Sequence, residues 1–332
     1  MTTLTNLEPA MRKYWHPAAK TFEVDNGPIR VVMFGEALVV SKLGDDIVVF
    51  ADRCPHRNAR LSDGSVIDDT LQCPYHGWRF DSDGGCAFIP ALGDGATCPP
   101  TARLTPVRSR VRNGMVWVAL DDPRTEPLAI AEWDQPDLVE AWLPTVTIRC
   151  GAAQFIDNFL DFTHFPFVHA GTFGAGEDEL VHDYDVLRTD DGLLVRYEHL
   201  IANNEDPLVA TGEHPLLQPR VMEYEYQVPF TARLRLELPM TGTENTIVVW
   251  AVPETEETIV LHSVLLRNDL ASDEDARHAV DYEMSVLTED VVILEHLPST
   301  DLPLDLPAQV HLKTDRNTVE MRRLLSDAIS MR

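Results

Sequence analysis

Apolar and polar residues alternate over residues 184–201, 220–239, 244–253 and 258–267, the period-two pattern of half-buried strands, which predicts one antiparallel sheet. The period changes after residue 272. Val280, Met284, Leu287, Val291 and Leu294 recur three and four apart, so a long amphipathic helix is expected from Ser272 to about Leu297, with Asp275 completing its N-terminal cap. This helix would lie across the sheet, and a shorter one is expected over Arg316–Ile329. The first 120 residues carry only strand-like segments. These are Ile29–Phe34, two segments within Leu38–Phe50 joined across Gly44-Asp45-Asp46, and short runs over 103–120. The Pro-rich, acidic stretch Asp121–Pro144 reads as a linker. The pattern therefore predicts an α+β chain: an all-β domain over 1–120, a linker over 121–144 and a helix-and-sheet domain over 145–332.

Composition narrows the function classes. The chain has 332 residues and carries 54 acidic against 27 basic side chains, a net charge of -27, which excludes nucleic acid and anionic membranes as natural partners. No run approaches the roughly 20 apolar residues of a membrane helix. Residues 1–8 lack the pattern of a signal peptide, so a cytoplasmic location is expected. Five cysteines (54, 73, 86, 98 and 150) without a secretion signal point to metal ligation or burial rather than disulfides.

Two stretches concentrate chemistry. Asn158–His169 sets Asp161, His164 and His169 among Phe, Leu and Val, where unpaired polar groups are costly and ligation of a metal would satisfy them. Pro166 is expected to kink or unwind the helix between the two histidines and let them converge. The other stretch is Cys54-Pro55-His56 and, after an interval, Cys73-Pro74-Tyr75-His76-Gly77-Trp78. The four ligands alone would suit tetrahedral zinc. C-x-H paired with C-x-x-H, with Pro after each Cys, is instead the signature of a Rieske [2Fe-2S] cluster, two Cys on one iron and two His on the other.

With both motifs the chain resembles the terminal oxygenase component (α subunit) of the Rieske non-haem iron oxygenases, over essentially its full length. The resemblance implies a Rieske domain followed by a helix-grip catalytic domain, in which a curved antiparallel sheet closes over a long helix. It implies a mononuclear Fe(II) held by His164 and His169, in the pattern D-x-x-H-x-x-x-x-H, with Asp290 of Thr288-Glu289-Asp290 as third ligand; Glu289 and Glu295 are the local competitors. Asp161 would lie between His164 and His76 of a partner subunit in a homotrimer. A ferredoxin or flavin reductase would supply electrons from NAD(P)H, and the least acidic region, with the Arg103, Arg108, Arg110 and Arg112 run, would receive it.

Respiratory Rieske proteins carry cysteines where Ala59 and Tyr75 stand and a Ser where Trp78 stands, so a low-potential cluster is expected here. The local sequence is more similar to the homomeric N- or O-demethylating monooxygenases than to ring-dihydroxylating dioxygenases, which usually place an Asn at the position of Asp157. A small cyclic or aromatic substrate, oxidised with O2, is implied, with Phe155, Phe159, Phe165 and Phe167 as candidate pocket residues. The rival reading, an electron-transfer protein without oxygenase chemistry, would need only Cys54, His56, Cys73 and His76.

Overall fold

The computed structural model describes residues 2–174, 177–203 and 206–331. The chain divides into two compact units, one of Arg12–Pro127 and one of Met1–Met11 with Leu128–Arg332.

The Arg12–Pro127 unit is built of small antiparallel sheets. Ile29–Met33, Glu36–Leu43 and Asp46–Ala51 form one, with Leu43 paired to Asp46 across the expected hairpin turn. Ser65–Ile67, Thr70–Gln72, Arg79–Phe80 and Cys86–Phe88 form the second. In the third, Met115–Ala119 lies between Arg108–Arg112 and His16–Lys20 and is buried at every position. Val39, Phe50, Leu61, Leu71 and Phe80 pack around Cys54 and Cys73 as one apolar cluster. The basic run is less free than its sequence suggests. Arg108 pairs with Asp122 and Arg110 with Glu126, while Arg103 and Arg112 donate to the carbonyls of Asp83 and Pro127. Arg53, Arg57 and Arg60, beside the first Cys/His loop, are exposed and have no carboxylate partner among the described residues.

The other unit holds an eight-stranded antiparallel sheet. Its order runs Val139–Trp142, Ile259–Arg267, Thr243–Pro253, Thr231–Leu238, Leu217–Gln227, Gly192–Ala202, Asp185–Arg188, with Val146–Ile148 also paired to Ile259–Arg267. The single run expected over 220–239 is two strands that turn at Val228–Phe230. Among the described residues five α-helices accompany the sheet: α1 (Ala152–Leu160), α2 (Phe165–Val168), α3 (Pro207–Thr211), α4 (Asp273–Leu294) and α5 (Arg316–Ser330). Ser272 caps α4, its hydroxyl accepting from the Asp275 N–H at 3.2 Å. Ala279, Val286 and Leu294 are the buried residues of α4, and the apolar stripe expected from Val280 to Val291 is half-buried beside them. The inward row also carries Glu283 and Asp290, which a reading of apolar positions passes over.

Two boundaries differ from expectation. Residues 128–144 are not a linker: Val139–Trp142 is an edge strand, Trp142 lies between Trp133 and Trp250, and buried Glu132 accepts from Arg233 at 2.6 and 2.8 Å. Their proline and acid content hides a strand whose polar partners sit elsewhere in the chain. The first eleven residues join the sheet unit rather than the all-β one. Thr3–Leu4 pairs with Leu302–Pro303, too short a strand for periodicity to reveal. Asn6 Oδ1 accepts from the Ala152 N–H at 2.8 Å, at the start of α1, and its amide donates to the Cys150, Thr255 and Thr258 carbonyls. Among the described residues no helix is long and apolar enough to cross a membrane.

Candidate metal centres and cavity

The two Cys/His loops are built alike. The Cys54 N–H donates to Ala59 O and the Asn58 N–H to Cys54 O; the Cys73 N–H donates to Trp78 O and the Gly77 N–H to Cys73 O. In both loops the fifth residue, Asn58 or Gly77, has a left-handed backbone, with φ of 57° and 70°. The repeated turn buries both sulfurs and brings the imidazoles of His56 and His76 to a 4.4 Å ring-centroid separation. Trp78 stacks on His56 at 4.5 Å and Tyr75 lies against His76 at 3.8 Å, a support for the imidazoles that the motif does not reveal.

These residues fit a Rieske cluster. His56 Nδ1 is buried with no hydrogen-bond partner, an orphaned donor set that ligation would satisfy. Burial, with the nearby Cys73, raises the Cys54 thiol to about 11, so its thiolate calls for the compensating charge of a metal. Burial and the neighbouring His76 and Arg57 hold His56 below its usual value, in the neutral form that can ligate.

On the sheet side, α1 ends at Leu160 and Asp161 takes an extended backbone, so the helix breaks before His164 rather than between the histidines. Pro166 then sits in the first turn of α2, where a missing N–H costs nothing. His164 and His169 flank this one-turn helix at its two ends, and α4 brings Asp290 to them. His164 Nε2 is 3.1 Å from His169 Nε2, and Asp290 Oδ1 is 3.5 and 3.3 Å from the two nitrogens. Atoms about 2.1 Å from a shared ion are about 3.0–3.5 Å apart at ligand angles of about 90–110°, so the three fit one metal. Burial lowers the His164 pKa, but Asp161 and Asp290 outweigh it and raise it to about 9. The negative charge that holds a proton there is equally available to a dication.

Surrounding groups aim the three. Glu289, the residue weighed as a rival ligand, faces the other side of His169: its Oε2 is 2.9 Å from His169 Nδ1 and accepts from Thr172 Oγ1 at 2.7 Å. This bond leaves Nε2 free of hydrogen and turned to the metal. Gly171 accommodates it, since a Cβ there would stand 2.5 Å from Glu289 Oε1. Asn158 Nδ2 donates to Asp290 Oδ1 at 3.3 Å. Glu295 lies outside the group, 3.4 Å from the Arg149 N–H. Asp161 Oδ1 accepts from the Thr163 N–H and hydroxyl at 2.8 and 2.7 Å, which leaves Oδ2 3.4 Å from His164 Nδ1. Asp157 pairs with Arg322 and ties α1 to α5. Glu289→Ala is expected to lower mononuclear iron affinity or turnover about 10–100-fold while Glu289→Gln retains more of both, measured by iron content and product formation.

The three residues stand at the wall of a cavity of about 610 Å³ between the sheet and α4. Phe155, Phe159, Phe165 and Phe173 line it, whereas Phe167 is 64% exposed and does not. Both guanidinium groups in its lining are held by carboxylates, Arg220 by Glu177 at 2.5 Å and Arg267 by Asp269 at 2.7 Å. His199 accepts from Arg220 Nε at 2.9 Å, and burial, with the Arg220 charge, lowers it to about 3, so it serves as a neutral acceptor.

Comparison with known proteins agrees with this arrangement. The Rieske [2Fe-2S] domain profile matches residues 14–104, and the vanillate O-demethylase oxygenase C-terminal domain profile matches residues 148–331. Methylxanthine N3-demethylase NdmB of Pseudomonas putida is 29% identical, over 94% of this chain and 88% of that protein. The structure of Pseudomonas putida CBB5 NdmA with caffeine superposes with a TM-score of 0.82 at 26% identity, covering 97% of this chain and 92% of that one. Dicamba monooxygenase, at 19% identity and a TM-score of 0.82, shares the fold over 97% of this chain and 98% of its own. The chain therefore belongs to the Rieske non-haem iron oxygenases with a vanillate O-demethylase-type catalytic domain, as a terminal monooxygenase that uses a [2Fe-2S] cluster and a mononuclear iron.

Proposed function

We propose that this oxygenase removes an N- or O-methyl group from a small, neutral cyclic compound. Cys54, His56, Cys73 and His76 hold the cluster, and His164, His169 and Asp290 hold the mononuclear iron. The observation that carries this reading is the group of three ligand atoms, 3.1–3.5 Å apart, on the wall of a largely apolar cavity. When bound, the cluster would supply one-electron transfer and the Fe(II) would supply the site of O2 activation. The chain's own part is placement: Glu289 and Asn158 orient the ligands, and the Phe155, Phe159 and Phe165 side chains exclude water and seat the ring. Because each guanidinium in the lining already has a carboxylate, no free guanidinium among the described residues awaits a substrate carboxylate. The names of NdmA and NdmB support demethylation as the outcome.

A ferredoxin or flavin reductase is the proposed electron donor, and the active form a cytoplasmic homotrimer in which Asp161 bridges His164 to His76 of the partner subunit. The free Arg53, Arg57 and Arg60 beside the cluster loops, on a chain otherwise strongly acidic, suit contact with an acidic surface. Iron-reconstituted protein is expected to hold three irons per chain. With a reductase it should release formaldehyde from members of a panel of N-methyl heterocycles and methoxy aromatics, with product mass lower by one methylene. Two irons per chain and no product from any member would leave only an electron-transfer protein.

A further inference from the structure

The cavity ends in polar groups that the iron site does not use. Glu283 lies on the same inward row of α4 as Asp290, seven residues and so about 10 Å of helix rise away. It has no hydrogen bond or ion pair with any described residue. Asn245, on the strand Thr243–Pro253, lines the same cavity, and its Oδ1 is buried without a partner. Arg267 connects the two: it stands opposite Asn245 in the neighbouring strand, and its charge acts on Glu283. Asp269 holds the Arg267 guanidinium at 2.8 and 2.7 Å, so Arg267 is not available as an anion receptor.

A half-buried carboxyl without a partner and an amide oxygen buried without one are costly unless a ligand completes them. Their chemistry selects that ligand. A carboxylic acid and a primary amide each present a donor beside an acceptor, and the complement of either is a ring N–H beside a ring carbonyl. Burial raises the Glu283 carboxyl to about 7, with Arg267 and His169 opposing and Asp290 adding to the rise, so the donor form is accessible at neutral pH.

Resting on the demethylase reading above, we propose that Glu283 and Asn245 form the specificity end of the cavity and recognise the cyclic-amide edge of a neutral N-heterocycle while its methyl group faces His164, His169 and Asp290. Seven residues of helix between Glu283 and Asp290 leave room for a fused two-ring compound. A carboxylate ligand is disfavoured: it offers acceptors only, and Asp269 and Glu283 would repel it.

The test is equilibrium dialysis of the iron-loaded holoenzyme, kept anaerobic, with three probes. 1-Methylquinazoline-2,4-dione carries an N–H between two carbonyls, its 1,3-dimethyl analogue lacks that N–H, and N-methylanthranilate carries a carboxylate instead. The N–H dione is expected to bind at least about tenfold more tightly than either of the others. Glu283→Leu should weaken it about tenfold while Glu283→Gln, which keeps a donor and an acceptor, stays within about threefold. Asn245→Leu should remove most of the preference for the N–H. Unchanged cluster absorption and iron content report that the variants are folded. Equal binding of the two diones, tight binding of N-methylanthranilate, no binding of the N–H dione, or wild-type affinity in Glu283→Leu would each overturn the assignment. Formaldehyde from a methoxybenzoate without binding of the N–H dione would sink this inference and leave demethylation standing.

Discussion

Alanine at His164, His169 or Asp290 is expected to leave the cluster absorption and two irons per chain in place and to abolish product formation. The loss should exceed the roughly 100-fold that removing an outer-shell partner costs. The three atoms meet within 3.5 Å of one another, so each variant would leave two of the three proposed ligands. Cys54 and Cys73 sit in the other compact unit, in their own apolar cluster, so their site is not disturbed. Iron analysis, electron paramagnetic resonance of the reduced cluster and product assay on each variant check this. An active Asp290→Ala beside an inactive Glu289→Ala would exchange the roles of the two carboxylates. Geometry speaks for Asp290, because Glu289 meets His169 at Nδ1, the nitrogen turned away from the shared centre.

Asp161→Asn should keep both metals and still be reduced by its donor, yet oxidise its cluster far more slowly in a single turnover with substrate and O2. One carboxylate oxygen is committed to Thr163, through both N–H and hydroxyl, and the other faces His164 Nδ1. Burial alone would raise the Asp161 carboxyl, but His164 and Thr163 outweigh it and hold it below the usual range, so it stays an anion able to accept from two imidazoles. Asn nearly preserves its shape but replaces the second acceptor with a donor. In the proposed bridge, the contact with His164 or the one with His76 of the partner subunit would then fail. Stopped-flow absorbance of the reduced protein follows the step. A wild-type rate would remove the bridge, and a fully active monomer would remove the trimer with it.

The features legible in the sequence share a cause. Cys54, His56, Cys73 and His76 are close in sequence and follow a fixed spacing, and the strands from Gly192 to Arg267 follow a plain period of two. The hidden features are those whose partner is distant. Glu289 reads as a helix-surface acid until His169, 120 residues away, is seen against it. Glu283 and Asp290 interrupt the apolar stripe of α4 at its centre, so the stripe locates the helix and misses the middle of its inward face. Glu132 looks like part of an acidic linker because Arg233 is 101 residues further on. The break before His164 is hidden because proline is the most visible helix breaker nearby, and α2 accepts it in its first turn.

The pairing of Thr3–Leu4 with Leu302–Pro303 sets a timetable for the growing polypeptide. At synthesis rates of about 5–20 residues per second, the first strand leaves the ribosome roughly 15–60 s before its partner. Asn6 likewise waits for Ala152 before it can cap α1. Within that interval all of Arg12–Pro127, both cysteine loops included, has been made, while Asp290 has yet to be. The order of the chain thus completes the residues of the two cysteine loops before it completes the group of His164, His169 and Asp290. A polypeptide that stops before residue 290 has both cysteine loops and lacks the carboxylate that completes the second group.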